Sequence, residues 1–515
     1  MSGGRLVYAG LVLGLLALLI GGPLAVLLST GVAGRPAAME YLLDVAVFTL
    51  LQATLSALLS AGLAVPAALA LAMRPTFPGR PLLLRLFALP MALPVLVGVI
   101  GILGVYGQAG LVNRLLLAVG AGGFPSIYGL GGILLAHVFY NLPLATLLVL
   151  ARLEETPSET WRIASSLGLK PWSVFRFIDL PALREALPRT LSLVFMLAVA
   201  SFTIVLTLGG GPGATTLEVA IYQALRFDFD PALAARLAIL QVAISGMLAL
   251  MLGRTAQTVV VEPSRGRGSA RAASHSWWPI GTIALATMFV GTPLLAVIVD
   301  GITPSLWRVL GEPTLYRAAL TSLTIAAAAS ALAVLAALAL GYGAAARAPR
   351  LFEIASLVGL VVPPVVVAAG WFLIAHRTGA ASALTPVLVV LLNALMAIPY
   401  AASVLFPAIR AVIERYDRLS QSLGLTGVRR LQRIDLPLLA RPVALALGLS
   451  ALVSLGDLGV VAIFGGEGIV TLPLLLYQRL GSYRTDDAAA LALLLTFLTL
   501  ALTALLPKRD RGGDA

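Results

Sequence analysis

Side chains able to do covalent chemistry are few in this chain and far apart. There is no cysteine, which excludes thiolate nucleophiles, thiolate metal sites and a disulfide framework. Its only lysines are Lys170 and Lys508. Pro171 follows the first and Pro507 precedes the second. Neither lysine therefore ends the GxxxxGK[ST] loop that cradles nucleotide phosphates. His137, His275 and His376 lie on different segments with no metal-ligand spacing. The carboxylates are sparse and mostly in loops. The chain reads as a non-enzyme with no cofactor of its own, and energy for any work must come from a partner or an ion gradient.

The remaining candidates are polar residues inside apolar runs, where burial is costly unless it serves a purpose. Asp457 sits in ALVSLGDLGVVAIF (451–464). Its counterpart in an internal repeat is Ser201. His137 and Asn393 are a second equivalent pair, each six residues before a paired proline, Pro143 and Pro399. A lone carboxylate favours a cation or an arginine, so these four residues are candidates for a substrate path. Their plainer role is interhelical hydrogen bonding, and the sequence leaves both open.

The repeat that relates them is clearest in two polar islands. Residues 166–181 read SLGLKPWSVFRFIDLP and residues 422–437 read SLGLTGVRRLQRIDLP. Gly168 and Gly424 suit the left-handed turn that ends a helix. Pro171, and Gly427 in the other copy, suit the start of a second short helix. Pro181 and Pro437 are expected to interrupt that helix. Each island is thus predicted to be a short helix-turn-helix between membrane spans, a pair of equivalent docking points.

This pattern resembles the EAA loop of ABC-importer permeases, E-A-A, three residues, Gly, nine residues, Ile-x-Leu-Pro. Gly168 with Ile178, Asp179, Leu180 and Pro181 matches it, as does Gly424 with Ile434, Asp435, Leu436 and Pro437. The E-A-A part departs: Arg162, Ile163 and Ala164 stand there in one copy, Arg418, Leu419 and Ser420 in the other. The resemblance implies that loops 154–185 and 410–441 are coupling helices. Arg162, Ser166, Arg418 and Ser422 complete the candidate ATPase-coupling set. The implied partners are two copies of a separate cytosolic ABC ATPase, which carries the ATP and Mg, and a periplasmic substrate-binding protein.

Composition agrees with a membrane protein. Hydrophobic residues are 59% and charged residues 11%, against about 25% charged in soluble domains. The net charge of +12 reads as basic cytosolic loops rather than a nucleic-acid surface. Twelve apolar runs are long enough to cross a bilayer, near 6–29, 43–72, 82–105, 128–151, 187–208, 231–253, 278–300, 317–345, 352–375, 382–409, 442–464 and 486–506. The first is longer than a signal-peptide core and is read as a retained span. With both termini cytosolic, 26 of the 35 Lys and Arg face the cytosol, as the positive-inside rule requires. The expected fold is all-α and polytopic, with two parallel six-helix repeats over 1–253 and 277–515. The Arg-, Ser- and Gly-rich stretch 254–276 is the expected cytosolic linker. Pro90, Pro94, Pro363 and Pro364 are expected to kink spans three and nine. A parallel repeat has its pseudo-twofold axis along the membrane normal, with the path between the halves.

One further stretch, LGGGPGATTLEVAIYQALRFDFD (208–230), is similar to a segment of thiamine ABC-importer permeases. It implies import of thiamine and its phosphate esters across the bacterial inner membrane. The general architecture fits iron(III) or spermidine-type permeases almost as well, and a gradient-driven transporter shares the two-half plan.

Overall fold

The computed structural model describes residues 3–33, 39–123, 125–252, 276–346, 349–465 and 468–507. The expected linker lies outside them, apart from Ser276. The described chain is helical. Its first half runs α1 (Gly3–Ala33), α2 (Met39–Met73), α3 (Arg80–Ala92), α4 (Val95–Tyr106), α5 (Leu111–Ala118), α6 (Leu130–Glu154), α7 (Ser158–Ser166), α8 (Pro171–Val174), α9 (Leu180–Val199), α10 (Phe202–Leu208), α11 (Leu217–Arg226) and α12 (Pro231–Leu252). The second runs α13 (Trp278–Gly301), α14 (Pro304–Leu310), α15 (Pro313–Ala346), α16 (Pro349–Val361), α17 (Pro364–Arg377), α18 (Ala381–Ser422), α19 (Gly427–Arg430), α20 (Leu436–Leu455), α21 (Gly459–Phe464), α22 (Leu472–Gly481) and α23 (Thr485–Ala504). Ten helices among the described residues are long and apolar enough to cross a membrane, and two bent pairs raise the number to twelve.

Several expected spans are not continuous rods. The run 82–105 divides at Leu93–Pro94 into α3 and α4, and the apolar crossing stretch is Val95–Ala118. Span nine bends by 81° between α16 and α17, and span five by 57° between α9 and α10. Span eleven breaks between α20 and α21. At spans three and nine the cause is local. Proline has no N–H and forces the preceding residue out of the helical region, and Leu93 before Pro94 and Pro363 before Pro364 accordingly take extended ψ values of 142° and 134°. Spans five and eleven break without proline, at Ala200–Ser201 and Gly456–Leu458. Between α4 and α6 the first half carries α5 and its flanking loops. In the second half α17 turns into α18 through Thr378–Ala380.

The halves exchange their first helices. α1 packs on α15 and α17 of the other half, and α13 packs on α2 and α4. Small residues make the approach close. The Trp371 indole N–H donates to the Leu19 carbonyl at 2.8 Å, and a Cβ at Gly370 would lie 2.4 Å from Pro23. α1 is therefore part of the packed body.

Candidate functional site

The two loops share one backbone design. α7 ends in a Schellman turn, with Gly168 at φ 59°, Gly168 N–H on Ser165 O at 3.1 Å and Leu169 N–H on Ala164 O at 3.0 Å. The second copy repeats it, with Gly424 at φ 62° and bonds to Gln421 O at 3.1 Å and Ser420 O at 2.9 Å. Only a residue without Cβ takes this φ at no cost. Pro171 and Gly427 begin the next short helices, as expected, although Gly427 also has φ 55°.

The prolines do not interrupt those helices, contrary to expectation. One turn of π-helix, Phe175–Asp179 or Leu431–Asp435, leads without a break into α9 or α20. Leu180 N–H reaches back five residues to Phe175 O, and Leu436 N–H to Leu431 O. A π turn widens the helix just before a residue that lacks an N–H, so Pro181 and Pro437 fit the first turn of a continuing helix. The second loop also differs at its start. Its first helix is the end of the 42-residue α18, because Ile413 stands where Pro157 separates α6 from α7.

The candidate coupling residues divide by environment. Arg162, Ser166, Gly168, Pro181 and their counterparts Arg418, Ser422, Gly424 and Pro437 are exposed, Leu436 with them. Ile178, Leu180 and Ile434 are half-buried. The Ser166 and Ser422 hydroxyls donate to Ile163 O at 3.0 Å and Leu419 O at 2.9 Å, helping to close the helix end. Asp179 and Asp435 are buried, and Asp435 helps to hold its loop together from inside. Arg430, itself fully buried, bonds Asp417 and lies 3.4 Å from Asp435. In the first loop Trp161 and Val174 stand where Asp417 and Arg430 do.

Sequence reasoning missed the residues most suited to contact. Ile163 and Leu167 are exposed, as are Leu419 and Leu423, and Trp172 and Phe177 join the first pair. The signal was an apolar i, i+4 pair inside a polar island, conserved in spacing between the copies. A further pair at the mouths of the loops was also missed. Arg80 bonds Glu154 at 2.5 Å, and Glu353 bonds Arg410. Glu154 and Arg410 are equivalent positions, and each is tied to the helix that opens span three or nine, with the charges reversed and Glu353 about one turn further along its helix than Arg80.

Of the candidate path residues, His137, Ser201 and Asn393 bond within their own halves, and Asp457 lies at the seam between the halves. His137 is buried, with Nδ1 2.7 Å from Ser56 Oγ and Nε2 2.8 Å from Ser201 Oγ. Asn393 donates to Ser454 Oγ at 3.1 Å. Both tie span four or ten to the neighbouring broken span, the plainer of the two roles. Asp457 is different. Its Oδ1 accepts the Val460 N–H at 3.4 Å, capping α21, and its Oδ2 is buried without a hydrogen-bond partner. Its neighbours face the other half, since a Cβ at Gly456 would lie 3.5 Å from Pro94 Cβ and one at Gly459 3.5 Å from Phe202.

Comparison with known proteins fits this arrangement. Residues 64–265 and 329–507 each match the family described as binding-protein-dependent transport system inner membrane component. The chain belongs to this family. Each match contains one loop, so the permease is two fused copies of the family unit. It is similar to the thiamine transport system permease protein ThiP of Brucella abortus, 45% identical over 96% of this chain and 94% of that protein. ThiP of Escherichia coli K12 is 44% identical over 91% and 89%, and that of Haemophilus influenzae 34% over 89% and 87%. The permease is thus a multi-pass inner-membrane transport subunit.

The buried arginine supplies a local test of the loop. Replacing Arg430 by methionine removes its bonds to Asp417 and to the buried Asp435, and a bond to a charged group is worth about 1.5–3 kcal/mol. In R430M, amides of 415–440 should exchange hydrogen about tenfold faster or more, while the first loop, where Val174 stands, keeps its protection. Unchanged exchange in the second loop would contradict its assigned interior.

Proposed function

We propose that this permease is the membrane subunit of an ATP-driven importer that moves thiamine and its phosphate esters from a periplasmic binding protein into the cytosol. The observation that carries the reading is relatedness to ThiP proteins over nearly the whole chain, at 44–45% identity in two of them. The segment 208–230 supports it, since it forms the end of α10 and all of α11 beside the seam. Two copies of a separate ABC ATPase dock on loops 154–185 and 410–441, where the apolar pairs Ile163–Leu167 and Leu419–Leu423 are exposed. ATP and Mg belong to that partner. Closure of the ATPase dimer moves both loops. Because each loop continues through a π turn into span five or eleven, the movement is delivered to the broken ends at the seam. Halves 1–253 and 277–515 with a linker at 254–276 follow from the internal repeat and the Arg-, Ser- and Gly-rich composition between its copies, and the cytosolic side of the linker and termini from the Lys and Arg distribution. His137, Ser201, Asn393 and Asp457 border the path, the first three fixing the helices and Asp457 facing the substrate.

The test is uptake of labelled thiamine by a thiamine-auxotrophic strain lacking its own importer, expressing the permease with its ATPase and binding protein, with iron(III) uptake alongside. Thiamine uptake that requires the ATPase is expected. In G168V and G424V a β-branched residue is forced into the left-handed region, at roughly 1–2 kcal/mol each, and thiamine moved per ATP hydrolysed should fall although the spans insert. Iron uptake instead, or uptake that survives without the ATPase and collapses with an uncoupler, contradicts the reading.

A further inference from the structure

Five carboxylates are buried among the described residues: Asp179, Glu218, Asp435, Asp457 and Asp487. Three are accounted for. Asp487 meets Arg308, Arg479 and Arg484 at one end of the second half, Asp435 meets Arg430, and Asp179 is partnered as well. Glu218 and Asp457 remain. Each has one carboxylate oxygen, Oε1 and Oδ2 respectively, buried without a hydrogen-bond partner, and neither has an ion pair. A buried charge left this way is costly unless something else compensates it.

Their placement is complementary. Glu218 lies in the first turn of α11, which packs on α17 and α21 of the other half. Its counterpart in the repeat is Pro473. Asp457 belongs to the second half, and its counterpart is Ser201. Each half therefore contributes one carboxylate where the other has none. Their depths differ as well. The start of α11 is fixed to α2 by the Leu217 N–H on Thr49 Oγ1 at 3.0 Å. Ser201 is fixed to the same helix through His137 and Ser56. Thr49 and Ser56 are seven residues apart, about 10 Å along a helix. An axis along the membrane normal keeps Asp457 at the depth of Ser201, so Asp457 lies about 10 Å beyond the start of α11. Aromatic rings bridge the interval. Phe202 packs edge-on against Tyr222 of α11 at 5.5 Å between centroids, and Phe202 also abuts the Gly459 position beside Asp457. Aromatic faces between two carboxylates suit an organic cation.

We propose that Glu218 and Asp457 are successive stations for a substrate with a fixed positive charge, Glu218 the outer and Asp457 the inner, engaged as the seam opens. This rests on the importer reading above.

The permease, its ATPase and its binding protein in proteoliposomes test it with two substrates, thiamine and a neutral isostere in which thiophene replaces the thiazolium ring. Each variant is compared with wild type on the same substrate, so selection by the binding protein cancels. E218Q should slow thiamine uptake about tenfold or more, the scale of one hydrogen bond to a charged group, and leave the isostere's rate unchanged, while E218D recovers most thiamine uptake. Equal loss for both substrates marks a packing role and overturns the proposal, as does wild-type thiamine uptake by E218Q. D457N is read by the same criteria and decides the matter if E218Q does not assemble. A wild type without ATPase-dependent thiamine uptake overturns the importer reading and this inference with it; an active wild type with an unselective E218Q overturns this inference alone.

Discussion

A helix broken inside a bilayer exposes backbone N–H and C=O groups that hydrocarbon cannot satisfy, so every break must be buried in protein. Among the described residues four spans of this permease are broken, and the breaks gather at the seam. Pro94 at the break of span three meets Gly456 at the break of span eleven. Gly459 just beyond it meets Phe202 after the break of span five and Val365 after the break of span nine. The freed groups find partners there. Val97 and Val366 N–H donate to the Pro94 and Pro363 carbonyls, both at 3.0 Å. Tyr140 donates to the Val95 carbonyl at 2.9 Å, and Asp457 caps α21. The same constraint makes the seam the place where polar side chains can be kept.

The two halves meet that constraint with different chemistry on one backbone plan. His137 bridges two serines, whereas Asn393 reaches one. One loop is filled by Trp161, the other by Arg430 between two aspartates. The ion pair at the loop mouths is reversed in sign. Shape is held in common and side chains have diverged, and that divergence leaves a carboxylate on only one side at each depth.

Much of this was legible from residues alone. The loops declared themselves through Gly168, Gly424 and the repeated Ile-Asp-Leu-Pro, because a left-handed turn and a helix start each demand particular residue types. The prolines of spans three and nine announced their breaks for the same reason. Spans five and eleven gave no such sign. Ala200 and Gly456 are ordinary in a helix, and those breaks depend on tertiary packing. The π turns were illegible because Pro181 and Pro437 signal a stop in isolation and are accommodated only when the preceding turn widens. Glu218 was passed over because α11 is too short and too polar to read as a span, so its burial shows only once the second half is packed against it.

The most direct test of the whole account is whether the seam must part. The chain has no cysteine, and a Cβ at position 456 would lie 3.5 Å from that of residue 94, within the range a disulfide requires. P94C and G456C combined would staple the first half to the second beside Asp457. The account predicts that the oxidised complex stops ATPase-dependent uptake and that dithiothreitol restores it. An oxidised, fully cross-linked complex that transports as fast as the reduced one would contradict a path between the halves.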